Sequence, residues 1–220
     1  MSILVEIFPA VAMGGHYQNA FVGRVGGLDV NVERETALER LAPFHEQARE
    51  DLGFGGKVFI TAEQVHGNAV AIVDATTPAP VAGVDALITN RPGVCLGIYV
   101  ADCCAVYAVD PVHDCIGLAH SGRKGTEMEV VAAMLRKMEC AYGTEPSHVT
   151  LQLSPCIRPP FYEVDFAAEI VRQCVALGVG EIVDCGDCTG ANPDRYYSYR
   201  MEQGRTGRML ALMAIGSFGG

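Results

Sequence analysis

An α+β fold, or an irregular α/β sandwich, is what this sequence predicts, built as a single domain over residues 1–220. Three observations carry that expectation. Short apolar runs of strand length recur from the start of the chain to residue 153. Three longer segments place apolar residues at helical spacing. The two kinds are interspersed without the regular strand–helix–strand alternation that a parallel sheet requires.

The strand expectations rest on apolar runs at 3–8, 57–61, 69–74, 86–89, 94–100, 104–109, 115–119 and 149–153. Turn residues separate them at Asn90-Arg91-Pro92-Gly93, Asp110-Pro111 and Glu145-Pro146. The first helix is expected over 35–52, polar with Leu38, Leu41, Phe44 and Ala48 on one side. The second is expected over 127–142, where Val131, Met134, Leu135 and Met138 share a face. Thr126 and Glu129 predict a capping box at its start, and Gly143 its end. The third is expected over 165–177, with Asp165 as N-cap, Ile170, Val171, Cys174 and Val175 as the apolar face, and Gly178 as the stop. Residues 217–220 read as a frayed tail.

Half of the residues are hydrophobic, so the chain can bury a sizeable core. The formal charge of −10 argues against a nucleic-acid polymer or an anionic membrane as partner, though a few local cations suffice for a small anion. No basic leader precedes the first apolar run, which carries Glu6, and Asp102 interrupts the longest one. The expectation is a soluble cytoplasmic protein, monomeric or weakly oligomeric. Nine cysteines, an odd number in a long chain, read as reduced thiols, most of them core fillers. Cys185-Gly186-Asp187-Cys188 is followed by what reads as a turn and then a strand, so it is neither a redox motif opening a helix nor half of a four-thiolate site.

Three places put reactive side chains at the ends of apolar runs. Gln64-Val65-His66-Gly67 follows KVFIT, Ala101-Asp102-Cys103 interrupts the run at 94–109, and His120 ends CIGLA. His66, Cys103 and His120 make a three-ligand set for zinc with an open fourth position; gaps of 37 and 17 residues mean the fold would have to assemble it. The same atoms also fit a nucleophilic Cys103 with His120 or His66 as base and Asp102 or Gln64 orienting it. The remaining histidines, His16, His45, His113 and His148, show no further cluster in sequence. Gly122-Arg123-Lys124-Gly125 precedes a helical segment, which predicts an anion contact by Arg123 and Lys124 within reach of His120. Tyr197-Ser198-Tyr199-Arg200, with Arg205 to Arg208, suits an aromatic base stacked on a ring and a phosphate or sugar beside it.

Five stretches in order resemble one family: EQVHGNAV (63–70), VDALITNRPGVCLGIYVADCCAVYAVD (84–110), IGLAHSGRKGT (116–126), LSPCIRPPFYEV (153–164) and DCTGANPDRYYSYRMEQGRTGRM (187–209), with GRVGG (23–27) as a weaker match. This is the laccase-domain family, also known as polyphenol oxidase-like or YfiH-like purine nucleoside phosphorylases. The resemblance implies mixed β-sheets flanked by helices, and a metal, usually zinc with copper as the older assignment, at the positions of His66, Cys103 and His120. It implies phosphorolysis of adenosine, inosine or methylthioadenosine, with adenosine deamination beside it. The alternatives it carries are a copper-dependent polyphenol oxidase and peptidoglycan-precursor editing; a Cys–His thiol hydrolase or non-catalytic paralogue is a third. One mononuclear site suits a multi-copper oxidase poorly. Gln64 and Asp102 are expected to handle protons or orient ligands, and Lys124, Arg123, Arg200 and Tyr199 to contact substrate. Where the family has His-Ala-Gly-Trp-Arg-Gly, this chain has His120-Ser121-Gly122-Arg123-Lys124-Gly125, and Ala105 replaces a proline. The family's Asn-Arg on the first helix has no counterpart in register, since Arg40 and Arg49 are both displaced from it.

Overall fold

Two mixed sheets stack face to face, and helices cover their outer faces. The structure is a computed structural model and describes residues 3–216; the expected frayed tail lies outside them. Eleven strands form in chain order: β1 (Ile3–Glu6), β2 (Tyr17–Val25), β3 (Val58–Thr61), β4 (Val70–Ile72), β5 (Ala86–Thr89), β6 (Val94–Val100), β7 (Cys104–Asp110), β8 (Cys115–Ser121), β9 (Thr150–Leu153), β10 (Glu181–Asp184) and β11 (Met209–Ile215). One sheet has the order β1-β2-β11-β6-β3 and the other β10-β9-β7-β8-β5-β4. The pairs β3–β6, β4–β5 and β9–β10 are parallel, and the remaining neighbours are antiparallel.

Both faces of the central strands are buried, which is why they read as unbroken apolar runs. Successive residues of β7 point to opposite sides, as the strand period of two demands. Ala105, Tyr107 and Val109 face the core between the sheets, with Phe21, Leu96, Met213, Leu87 and Leu118. Cys104, Val106 and Ala108 face outward, under α4 (Val130–Tyr142) and α5 (Phe166–Ala176), where Val131, Met134, Met138, Ile170 and Cys174 close over them. The far side of the first sheet is covered by α2 (Arg34–Asp51), through Ala48 packed with Val22, Leu210 and Leu212. Each fully buried Leu, Ile or Phe contributes about 1.5–3 kcal/mol relative to exposure. Two short helices complete the set, α1 (Pro9–Ala12) and α3 (Arg123–Glu127). No helix among the described residues is long and apolar enough to cross a membrane.

Several sequence expectations need correction. The helix expected over 127–142 is two helices, α3 and α4, broken where Glu129 adopts φ 57°. No capping box forms there: the Thr126 hydroxyl donates to the Gly122 carbonyl at 2.8 Å, and the Glu129 side chain makes no cap. The strand expected after Cys188 is absent; residues 192–208 form turns that bury Tyr196 and Tyr197 in the central core. β11 carries no sequence expectation and β2 only the GRVGG match at its end, which the family places in its N-terminal strand, yet they pair with each other in the middle of the first sheet. The cap at Asp165 forms as expected, its carboxylate accepting the Ala168 N–H at 3.0 Å. All nine cysteines are free thiols.

The topology places the reactive residues. The chain passes from the first sheet to the second between β3 and β4, and again between β6 and β7. The first crossing carries Gln64 and His66, the second Asp102 and Cys103. Ala105 pairs with His120, so the last residues of β8 lie beside the second crossing.

Candidate metal centre and cavity

One ligand atom from each of His66, Cys103 and His120 lies within 4.8 Å of the others. The imidazoles of His66 and His120 meet edge to face, with centroids 4.8 Å apart. His66 is exposed, Cys103 half-buried and His120 buried. Gly122 makes the close approach possible, because a Cβ there would collide with the Cys103 sulfur. Burial would push the Cys103 thiol up, but the charge of His120 and hydrogen bonds with both histidines win and bring it down to about 6. Burial would likewise push His120 down; the Cys103 thiolate and the Asp85 carboxylate raise it to about 9. Without metal, the two groups therefore favour a thiolate–imidazolium pair.

Asp85 organises this end of the molecule. It is fully buried at the entry to β5, and its Oδ1 accepts the His120 Nδ1–H at 2.8 Å and the His66 main-chain N–H at 2.9 Å. Its Oδ2 accepts the Val65 and Gly67 N–H groups at 3.2 and 2.7 Å. Three successive N–H groups thus converge on one carboxylate, an anion-binding nest. Burial works against the carboxyl's charge, but His120 and the main-chain donors hold it below its ordinary range. The nest explains two outliers: Gln64 at φ 66° and His66 at φ 61° are left-handed residues other than glycine. Such strain costs of order 1–3 kcal/mol per residue, and hydrogen bonds to a buried charge offset it. With Nδ1–H committed to Asp85, Nε2 of His120 is the nitrogen free for a ligand.

Gln64 and Asp102 lie at the site and are bonded elsewhere. The Gln64 amide donates to the Tyr99 carbonyl at 2.6 Å and accepts the Tyr99 N–H at 2.9 Å, tying the loop to β6. Asp102, at φ 81°, accepts the Thr189 hydroxyl and the Arg200 N–H, both at 2.7 Å. It fastens two distant loops beside Cys103.

A cavity of about 450 Å³ opens at the two histidines of this cluster. His66 and His120 form one side and Tyr99 and Tyr199 another, while Glu33, Arg34 and Arg208 bring charge. Arg34 is the first residue of α2. Arg208 is 9% exposed, and its Nη1 donates to the Thr206 and Gly207 carbonyls at 2.9 Å each. Burial, and then the neighbouring charge of Arg34, depress its pKa. Two guanidinium groups this near each other favour an anion between them. A second cavity of about 380 Å³ shares Tyr199 and Gly204, and is lined by Asp102, Tyr162, Phe166 and Arg200.

The structure brings Tyr199 to the first cavity and Arg200 to the second, where Arg200 donates to Glu163 at 3.2 Å. Arg123 and Lys124 line neither cavity. Arg123 donates to Glu127 at 3.0 Å and lies 3.9 Å from Glu163. Arg40 bonds Asp29 at 2.8 Å, so the cation that α2 brings to the cavity is Arg34. Sequence reasoning missed Asp85, Glu33, Arg34 and Tyr99. For Asp85 a signal existed: an acid leading directly into a strand with no polar face.

The family model described as multi-copper polyphenol oxidoreductase laccase matches residues 14–172 and 163–216. The purine nucleoside phosphorylase ORF3 of Streptomyces griseus is 32% identical over 196 residues, covering 76% of this chain and 78% of that protein. A purine nucleoside phosphorylase of Deinococcus radiodurans is 30% identical over 230 residues, covering 90% and 88%. The crystal structure of YlmD from Geobacillus stearothermophilus superposes with a TM-score of 0.83 at 24% identity, over 96% of this chain and 94% of that one. That last likeness shows the same fold, two mixed sheets flanked by helices. On the span of the family model and the identity to these relatives, the chain belongs to the multi-copper polyphenol oxidoreductase laccase family.

Proposed function

We propose that the chain is a purine nucleoside phosphorylase that binds zinc through His66, Cys103 and His120 and cleaves adenosine, inosine or methylthioadenosine with phosphate. The observation that supports this reading most is that His66 and His120, clustered with Cys103 so that their ligand-capable atoms lie within 4.8 Å of one another, line the same cavity as Arg34 and Arg208. The names of the relatives supply the reaction class. The donor set suits the ion: two imidazoles and a thiolate favour zinc or copper over harder cations, and three ligands leave a coordination position open. The Asp85–His120 bond is the carboxylate–histidine arrangement that fixes a ligating ring. Bound there, zinc supplies Lewis acidity and lowers the pKa of a coordinated water.

The residues of the chain bind and orient. Breaking a purine N-glycosidic bond builds positive charge on the ribose and negative charge on the departing base. Arg34 and Arg208 hold phosphate beside the ribose, each charge-assisted hydrogen bond contributing about 1.5–3 kcal/mol. The half-exposed Tyr199 ring, with the Arg208 guanidinium 5.8 Å from its centroid, offers the purine a stacking surface. Glu33 offers an acceptor to ribose hydroxyls. Gln64 and Asp102 position the two sheet crossings and hold no proton of the reaction. Adenosine deamination would be a separate reaction in the same cavity, with water attacking C6 of the purine and ammonia leaving to give inosine.

Product analysis over a purine nucleoside panel, with and without phosphate, tests this. The expected products are free base and ribose 1-phosphate, formed only with phosphate. Cys103→Ala should lose the zinc bound at the cavity together with at least about two orders of magnitude in turnover. A zinc content in that variant equal to that of the wild type, or no phosphate-dependent product from the wild type, would sink the assignment. Copper as the metal of protein purified without additions would favour the polyphenol oxidase reading instead.

A further inference from the structure

The histidines left over from the cavity are not scattered as their sequence positions suggest. His113 and His148, 35 residues apart in sequence, come together with Asp110 at the opposite end of the β7–β8 hairpin, and one ligand-capable atom of each lies within 4.8 Å of the others. In register, five residues separate Ala105↔His120 from Asp110↔Cys115, so this cluster stands about 17 Å from the cavity residues.

Its construction is that of a metal site rather than of a surface ion pair. Asp110 is fully buried, and its Oδ2 accepts the His113 Nδ1–H at 2.7 Å. Oδ1 accepts the Val112 N–H at 2.9 Å, which fixes the carboxylate. The committed Nδ1 leaves Nε2 of His113 as a lone-pair donor. Gly143 faces that nitrogen; a Cβ there would stand 3.5 Å from it, and its absence leaves the approach open. The His148 ring lies with its centroid 6.2 Å from that of His113. Its Nε2 is 3.9 Å from the Glu145 carboxylate. Its Nδ1 is buried and has no hydrogen-bond partner, a state that buried polar atoms seldom tolerate. The His113 ring is thus held by a carboxylate at one nitrogen and keeps the other for a ligand, the pairing found around histidine-bound metals, and His148 brings an unpartnered nitrogen beside it.

We propose that His113 and His148, the first held in place by Asp110, form a second cation site, separate from the cavity, for a borderline divalent transition ion such as zinc. Two imidazole nitrogens, completed by water, suit that class and suit magnesium or calcium poorly. Bound there, the ion would tie the β7–β8 turn to the 143–148 segment after α4. No part of the site reaches the cavity, so its role is to hold structure.

The test uses the full chain, stripped with chelator and titrated with zinc. The wild type should bind two equivalents, Cys103→Ala one, and the His113→Ala/His148→Ala double variant one. With cobalt as the probe, the double variant should keep the thiolate charge-transfer band and Cys103→Ala should lose it. Because the double variant removes buried packing, His148→Gln, at a half-exposed position, is measured beside it. In the Cys103→Ala background, zinc should raise the melting temperature by several degrees, and His148→Gln should cancel that rise. Turnover of the double variant should stay within twofold of the wild type. A single equivalent in the wild type, or equal stoichiometry in the wild type and the double variant, would overturn the second site while leaving the assignment of the first untouched.

Discussion

The two ends of the β7–β8 hairpin carry the same device and differ in what surrounds it. At each end a buried aspartate accepts an imidazole Nδ1–H, Asp85 from His120 at 2.8 Å and Asp110 from His113 at 2.7 Å. At each end a second histidine stands close by. Only the first end adds a half-buried thiol, a cavity of about 450 Å³ and two guanidinium groups. The second end is packed against the segment following α4, and neither of the two cavities is lined by His113 or His148. An oriented imidazole is thus common to both ends, while space and a complementary charge beside it are what set the first end apart as a place for chemistry.

The sharpest way to break this comparison is to disable the two aspartates in turn. Asp85→Asn puts an NH₂ where a carboxylate oxygen meets main-chain donors, so either the His120 bond or the nest at residues 65–67 must open. Metal affinity at the cavity should fall about 10- to 100-fold, and turnover with it. Asp110→Asn should leave turnover within twofold. Equal losses in the two variants would mean that the ends are not functionally distinct. Metal titration beside a phosphorolysis assay reads both.

Next in size is the contrast between the cations inside the cavity and those on the turn after His120. Arg34→Gln or Arg208→Gln should raise the KM for phosphate about tenfold or more, the cost of one charge-assisted hydrogen bond. Lys124→Gln and Arg123→Gln should change it less than threefold, since neither residue lines the cavity. The reverse order would move the anion onto the turn and make the basic pair that the sequence emphasises the working one.

How far the sequence discloses all this depends on whether a residue's partners are near it in the chain. The buried strands β5 to β9 are legible because a two-faced burial writes an unbroken apolar run. β2 is not, because Gln18, Asn19 and Arg24 break its run, and β11 is not, because Met209-Leu210-Ala211-Leu212 has the composition of a helix. His66, Cys103 and His120 can be read as candidates from their places at strand ends. Asp85 cannot be assigned its work, because nothing local says that four donors from residues 65–67 and 120 will gather on it. The same holds for the pairing of His113 with His148, which the loop after α4 creates. The break at Glu129 is tertiary too, since α3 turns with the end of β8 while α4 lies along the outer face of the sheet.

The smallest effect on turnover, and the last edge of the comparison, concerns an imidazole that no carboxylate holds. His45, on the buried face of α2, is 3% exposed and packs against Tyr99, with ring centroids 5.7 Å apart. Neither of its ring nitrogens has a hydrogen-bond partner. Burial pushes its pKa down from 6.5 to about 4, only weakly opposed by the Arg208 main chain. Above pH 6.5 the ring is neutral whether the chain is folded or not, and it contributes no pH dependence. Below pH 6.5 the unfolded chain takes up a proton that the folded chain refuses, so stability is lost as the pH falls, until the folded ring also titrates near 4. A depression from 6.5 to about 4 corresponds to about 3 kcal/mol across that window. His45→Gln should leave phosphorolysis at neutral pH unchanged and flatten this acid limb by about that amount, read from urea unfolding at pH 7 and pH 4.5. A variant whose stability falls as steeply as the wild type would mean that another group carries the acid sensitivity, and that a buried histidine without a carboxylate is as well accommodated here as His113 and His120, which have one.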